Sequence, residues 1–99
     1  MSWGHTAHSP DSANLKSALD DAAEDTLAGQ EISEWPAATQ AHITKAHELA
    51  VAAAEALEVQ SILEGERTIT ANCNGHISES NVGGSDWINV NVSLVTKPQ

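Results

Sequence analysis

Two stretches decide the fold: TITANC at residues 68–73 and INVNVSLV at residues 88–95, both of which alternate apolar and polar side chains. A period of two places the apolar set on one buried face and the polar set in water, as in a half-buried antiparallel strand. The connection between the stretches, residues 76–86, is polar and contains two glycines. We therefore predict a β-hairpin with strands at 67–74 and 87–95.

The chain before the hairpin is rich in alanine and repeats its apolar residues at the 3.6-residue period of an amphipathic helix. A serine–proline pair and, further on, a glycine delimit a first helix, which is predicted over residues 10–28. A second helix is predicted over residues 34–63, and residues 1–9 are predicted to form an irregular arm. The expected fold is one α+β domain, residues 1–99, in which two antiparallel N-terminal helices precede the C-terminal hairpin (ααββ).

The apolar residues of this chain provide little bulk for a core. It has no Phe and no Tyr, three Trp and sixteen Ala. Alanine buries little area, and each Å² contributes only about 25 cal/mol. The second helix, about 42 Å long from Pro36 to Leu63, cannot be covered by a first helix of about 28 Å. Both edges of the predicted hairpin also lack a partner strand. We therefore predict a homo-oligomer or a lattice-bound subunit, whose partners are other protein subunits.

The charge of the chain argues against nucleic acid as a direct partner. Fourteen acidic residues against four basic ones give a net charge of −10. Lys16, Lys45, Arg67 and Lys97 are scattered, whereas phosphate binding needs clustered basic side chains. One interpretation of the acidity is solubility. The other is a surface that occupies a basic site on a partner protein.

The sequence also contains no membrane or export signal that we can recognise. No stretch reaches the run of about 18 apolar residues that a membrane helix needs. The N-terminus has neither the basic nor the apolar segment of a signal peptide. We expect no membrane partner, and a protein that is made and kept in a cytoplasm.

The residues suited to catalysis or metal binding form no recognisable pattern. Cys73 is the only cysteine in the sequence and lies on the apolar side of its strand, which predicts a buried structural thiol. His5 and His8 lie in the predicted arm. His42 and His47 are five residues apart, not the four of a zinc-binding helix. We predict no enzymatic activity, no metal site and no cofactor.

Five residues are candidates for contact with a partner: Trp3, Trp35, His76, Asp86 and Trp87. Trp87 precedes the apolar set of the second strand by one position, so its indole is expected on the outer side, where it can anchor an interface. An alternative is that it covers the helix ends. His76 and Asp86 lie at the two ends of the predicted loop, either to tie its mouth by a hydrogen bond or to bind a ligand.

A further pattern lies at the two ends of the chain. It consists of Met1-Ser2-Trp3-Gly4, Gly75-His76, Gly84, Asp86 and Ile88-Asn89-Val90-Asn91-Val92. In this pattern the chain resembles a group of small proteins encoded among the virion-structure genes of tailed phages of actinobacteria. It departs from them in having Gly-His-Ile-Ser where they have Gly-His-Ala-Asn, and in a Trp that follows the Asp. The resemblance implies an accessory protein of the phage head or neck, with no catalytic residues to carry over.

Together these observations predict a non-enzymatic structural or interaction protein of a phage particle, either capsid-associated or at the head–tail junction. Its expected location is the virion, and the host cytoplasm before assembly. The alternative is an acidic inhibitor or anti-defence protein, expressed in the host, that occupies a basic nucleic-acid-binding surface of its partner. Presence in purified particles would separate the two.

Overall fold

The computed structural model describes residues 2–26, 34–61, 66–77 and 86–97. Its elements, in chain order, are strand β1 (Ser2–Ser9), helix α1 (Leu15–Thr26), helix α2 (Ala37–Gln60), strand β2 (Glu66–His76) and strand β3 (Trp87–Lys97). The three strands form one antiparallel sheet in the order β1–β2–β3. The C-terminal hairpin therefore contributes the central strand and one edge strand.

The α+β class is confirmed, but the predicted order of elements is wrong. The chain begins with a strand, and the two helices follow it, so the order is βααββ rather than ααββ. Residues 1–9, predicted as an irregular arm, contain β1. This strand pairs along β2 from Ser2–His76 to Ser9–Ile69. One of the two hairpin edges that we expected to be open is thus covered by the chain's own N-terminus.

β1 is not recognisable in the sequence because its buried face lacks bulk. Its residues alternate strictly between exposed and buried, with Trp3, His5, Ala7 and Ser9 on the inside. Strands are recognised from β-branched and aromatic side chains at a period of two, and three of these four residues are neither. Pairing with the hairpin, rather than local propensity, makes this segment a strand.

The hairpin forms as predicted, and its strands are slightly longer than the predicted ones. β2 and β3 pair antiparallel from Glu66–Lys97 to His76–Trp87. The apolar residues of β2 are buried and its polar residues are half-buried or exposed, as the alternation indicates. Residues 78–85 of the predicted loop lie outside the described residues.

Each helix begins a few residues later than predicted. The predicted start of α1 at residue 10 is wrong because the segment after Pro10 forms a turn, in which the Asn14 N–H donates to Asp11 Oδ1 at 2.8 Å. The Asn14 carbonyl then accepts from the Ala18 N–H at 3.2 Å, so the helix begins only there. α2 begins after Pro36, whose backbone is extended. The predicted end of the second helix at residue 63 is wrong, because α2 ends at Gln60 and the backbone of Ser61 is extended. The predicted end of the first helix at residue 28 lies outside the described residues.

Both helices lie on one face of the sheet, α1 mainly against β1 and α2 mainly against β3 and β2. They contact the sheet more than they contact each other, so the expected helical pair is not the main packing unit. The molecule measures 51 × 27 × 16 Å, as expected for one helical layer on one sheet. The buried apolar residues are Trp3, Ala7, Leu15, Leu19, Ala23, Trp35, Ile43, Ala46, Ala50, Ala54, Ile69, Ala71, Cys73 and Ile77.

Candidate interaction surface

The sheet face opposite the helices, here called the outer face, is not covered by another layer in the described part of the chain. Because residues directly opposite each other in an antiparallel sheet share a face, its members follow from the register. They are Ser2, Gly4, Thr6 and His8 of β1, Thr68, Thr70, Asn72, Asn74 and His76 of β2, and Trp87, Asn89, Asn91, Ser93 and Val95 of β3.

None of these residues is Asp, Glu, Lys or Arg, although the chain has a net charge of −10. The next residue of β2 on this face, Glu66, is exposed at the end of the ladder and directly opposite Lys97. Like charges repel, and a surface without them is the one that a second protein can approach without that penalty. The acidic residues therefore leave the outer face as a neutral contact surface.

Side-chain hydrogen bonds on this face join β1 to β2 and also run along β2. Asn72 Nδ2 donates to Thr6 Oγ1 at 2.8 Å, and Asn74 Nδ2 donates to Asn72 Oδ1, also at 2.8 Å. His8 Nδ1 lies 3.0 Å from Thr70 Oγ1. The corresponding polar side chains of β3 make no hydrogen bond within the described residues and face water. The side chains of Asn89, Asn91 and Ser93 on β3 are thus available to a partner.

β3 also carries the two exposed apolar side chains of the outer face. Trp87 is 51% exposed and Val95 is 59% exposed, one near each end of the strand. The outward position of Trp87 was predicted from its place next to the apolar set. An exposed indole at the rim of a neutral face is typical of an interface anchor.

The inner side of β3 is less well covered than the inner side of β1. The four inward residues of β1 are buried, whereas Ile88, Val90, Val92 and Leu94 of β3 are only half-buried beneath α2. No strand among the described residues pairs with the other edge of β3. The backbone N–H and C=O groups along that edge are therefore open to strand addition.

The structure places two of the predicted contact residues in the core instead. Trp3 is 6% exposed and Trp35 is 5% exposed. Trp3 stacks on His5 at 5.4 Å between ring centroids and meets the edge of His42 at 5.6 Å. Neither indole is available to a partner in this fold, and the prediction that they lie at an interface is corrected accordingly.

The other predicted pair lies at one end of the sheet. His76 is half-buried on the outer face, directly opposite Trp87, and its Nδ1 lies 3.3 Å from Ser2 Oγ. Asp86 is exposed and immediately precedes β3. Residues 78–85 of the loop that separates them lie outside the described residues. Both proposed roles of His76 and Asp86, a hydrogen bond that closes the base of the loop or a ligand site, therefore stay predictions.

A buried chain of hydrogen bonds, which the sequence did not reveal, joins β1 to both helices. His47 Nδ1 lies 2.8 Å from Asp20 Oδ1, and His47 Nε2 lies 2.7 Å from His5 Nε2. Asp20 also accepts from Lys16 Nζ at 2.9 Å. Both rings can be neutral if His47 donates to Asp20 and accepts from His5. Because the sequence predicts an irregular arm at His5, no sequence pattern connects it with His47.

Burial sets the protonation of this chain. The pKa of His5 is lowered to about 4, chiefly by burial and also by the neighbouring His47, with the Asp20 carboxylate partly offsetting both. Burial likewise lowers the pKa of His47, although the hydrogen bond that His47 donates to Asp20 acts to raise it. These two buried imidazoles, hydrogen-bonded to each other and to Asp20, connect β1 to the helical layer.

The Cys73 thiol, close to this hydrogen-bond chain, is also buried. Cys73 is directly opposite His5 in the ladder and is buried, as predicted. Burial raises its pKa to about 11. Because the thiolate is the nucleophilic form, this cysteine is poorly suited to attack a substrate.

Comparison with known proteins adds no family assignment. Among the described residues, no three His, Cys, Asp or Glu side chains are arranged to hold a metal ion. None of the helices in this part of the chain is long and apolar enough to cross a membrane. No protein-family model, curated protein or solved structure matches the chain.

Proposed function

We propose that this protein is a non-enzymatic structural subunit that binds other protein subunits through the β3 side of its sheet. The observation that carries the proposal is the state of β3, a strand of eleven residues with an open edge, half-buried apolar residues on one side and exposed Trp87 and Val95 on the other. Natural sheets usually protect such an edge with charges or proline. β3 has neither between Trp87 and Thr96.

The charge distribution supports binding to protein rather than to nucleic acid. The outer face is neutral, and no cluster of basic side chains accompanies it. A neutral polar surface with an exposed indole is typical of protein contacts, whereas nucleic-acid binding depends on neutralising phosphates. The partners in this proposal are protein subunits, of the same chain or of the particle.

The polar core supports a role without catalysis. The Asp20–His47–His5 chain superficially resembles the relay of a hydrolase, in which a base activates a nucleophile. Here its end, His5, is enclosed and stacks on Trp3. The neighbouring Cys73 is buried and has a raised pKa. In this proposal, the Asp20–His47–His5 hydrogen bonds connect β1 to the helices.

We place the subunit in a phage particle, as a capsid-associated or head–tail accessory protein that is in the host cytoplasm before assembly. This setting is drawn from the resemblance of the two chain ends to virion-region proteins. It agrees with a small, thinly packed chain that offers a large open sheet side to neighbours.

Mass spectrometry of purified particles tests the proposal. We expect many copies of the chain in each particle. Replacing Asn91, which is exposed in the middle of β3, by Glu should reduce incorporation, because it places a charge on the contact surface. Thr6→Glu is the matched control, since Thr6 is exposed in the same row of the sheet but on β1. Absence of the wild-type chain from particles would overturn the proposal and favour the acidic inhibitor.

A further inference from the structure

We propose that the open edge of β3 pairs with β3 of a second copy of this chain, antiparallel about a two-fold axis at Asn91, so that two sheets join into one of six strands. The inference rests on the proposed function and names the partner of the same surface. Three observations carry it. The two edge strands differ in how well they are covered, residues 87–96 carry no charge, and the side chains of β3 match in type when the strand is paired antiparallel with a copy of itself.

The asymmetry identifies which edge is used. β1 and β3 are both edge strands, but the helices bury every inward residue of β1. β3 keeps its inward apolar residues half-buried, and it bears the exposed Trp87 and Val95. Strand addition at β3 would cover apolar surface, whereas addition at β1 would add little of it.

The charge identifies which partner can use that edge. A second copy also has a net charge of −10, so most of its surface is repelled by the first. Residues 87–96 contain no charged side chain. Contact between two β3 strands is therefore a contact in which neither copy presents an acid directly to the other.

The register follows from the symmetry of the pairing. In an antiparallel pair, directly opposite residues share a face. A two-fold axis between the two β3 strands must therefore lie midway between one residue and the same residue of the second copy. With the axis at Asn91, Trp87 is opposite the second copy's Val95, and Asn89 is opposite its Ser93. On the inner side, Ile88 is opposite Leu94, and Val90 is opposite Val92.

This register matches like with like in every row. Both exposed apolar residues of the outer face become neighbours, and the inner rows are entirely apolar. Moving the axis to Val92 would place Asn89 opposite Val95 and Lys97 opposite Trp87. Moving it to Val90 would leave Val95 without an opposite residue in β3. The Asn91 axis pairs the whole stretch from Trp87 to Val95 without a mismatch.

Light scattering of the purified full-length chain provides the first test. The expected mass at micromolar concentration is twice the 10.4 kDa of one chain. Asn91→Glu places two acids at the axis and should restore the single-chain mass. Thr6→Glu, in the same row on the other edge strand, should leave the dimer intact. A wild-type chain that stays monomeric up to its solubility limit overturns the inference, and so does a dimer that Thr6→Glu dissociates.

Cysteine cross-linking tests the register. Asn91→Cys should form a disulfide-linked dimer on oxidation, because residues opposite each other in a sheet lie within disulfide range. Asn89→Cys should not, because the two copies of residue 89 are four positions out of register, about 14 Å apart. A mixture of Asn89→Cys and Ser93→Cys should cross-link. The parent chain, whose Cys73 is buried, is the blank. Dimers in which Asn91→Cys fails to cross-link overturn the inference.

The outcomes separate this inference from the proposed function. A chain found in particles but monomeric in solution, with no cross-link at Asn91 in either setting, contradicts the pairing and leaves the structural role standing. A chain that dimerises at Asn91 but is absent from particles supports the pairing and contradicts the setting.

Discussion

Trp3 and Gly75 are direct cross-strand partners, and the indole of Trp3 occupies the space that a side chain at position 75 would need. A Cβ at this position would lie 2.8 Å from Trp3 Cζ2 and 2.5 Å from the backbone oxygen of Trp87. Because Gly75 has no side chain, it leaves the space, here called the slot, in which the Trp3 indole packs against the hairpin. The relationship links β1 to the central strand of the sheet.

We expect Gly75→Ala to lower the free energy of unfolding by about 1–3 kcal/mol, because the new methyl group meets atoms that cannot move without shifting the backbone. Urea denaturation measures this change. Gly4→Ala is the matched control on the other face of the ladder. Its Cβ would lie 3.3 Å from Asn74 Cβ on an exposed surface, so its effect should stay below about 1 kcal/mol. Equal effects of the two substitutions would argue against the slot.

Stability should decrease as the solution becomes acidic. His5 has a pKa of about 4 in the folded protein against an ordinary value of 6.5, so the unfolded chain takes up a proton first. The stability due to neutral His5 is therefore present above pH 6.5 and is lost as the pH falls from there to about 4. The lowered pKa of His47 acts in the same direction.

Urea denaturation at a series of pH values tests this dependence. His5→Gln should flatten the slope between pH 6.5 and about 4. His8→Gln, an exposed change on the same strand, should leave the slope as it is in the parent. A slope that His5→Gln does not alter would show that the acid sensitivity arises elsewhere.

The hydrogen-bond chain should act as a unit. His47→Leu removes the shared partner of His5 and Asp20, and we expect it to cost about 1–3 kcal/mol, since His5 is left buried and unsatisfied. Adding His5→Leu removes that unsatisfied group. The double variant should therefore cost less than the sum of the two single changes. Additive costs in this double-mutant cycle would contradict the coupling.

The Cys73 thiol should be unreactive in the folded protein. It is buried and its pKa is raised to about 11, so little thiolate exists at mildly alkaline pH. A colorimetric disulfide reagent should label it only after denaturant is added, at a rate that follows global unfolding. Rapid labelling of the native chain would show that the β2 interior opens.

The hairpin and the helices were predictable because their residues carry strong local signals. Ile69, Val90 and Val92 stand in an alternation that only a half-buried strand explains, and the long alanine-rich segment has few residues that break a helix. The buried Cys73 and the outward Trp87 followed from the same alternation. Helix starts were less predictable, since a turn centred on Asp11 competes with the first helical residues.

The place of the N-terminus was not predictable, because it depends on contacts between residues far apart in the chain. Ser2–Ser9 has little strand propensity, and it forms β1 by pairing with β2 sixty or more positions later. That pairing brings Trp3 onto Gly75 and His5 onto His47, so it also creates the buried hydrogen-bond chain. Local sequence sets which segments are amphipathic. Long-range pairing sets which edge is closed, and it leaves β3 as the strand with an open edge and half-covered apolar residues.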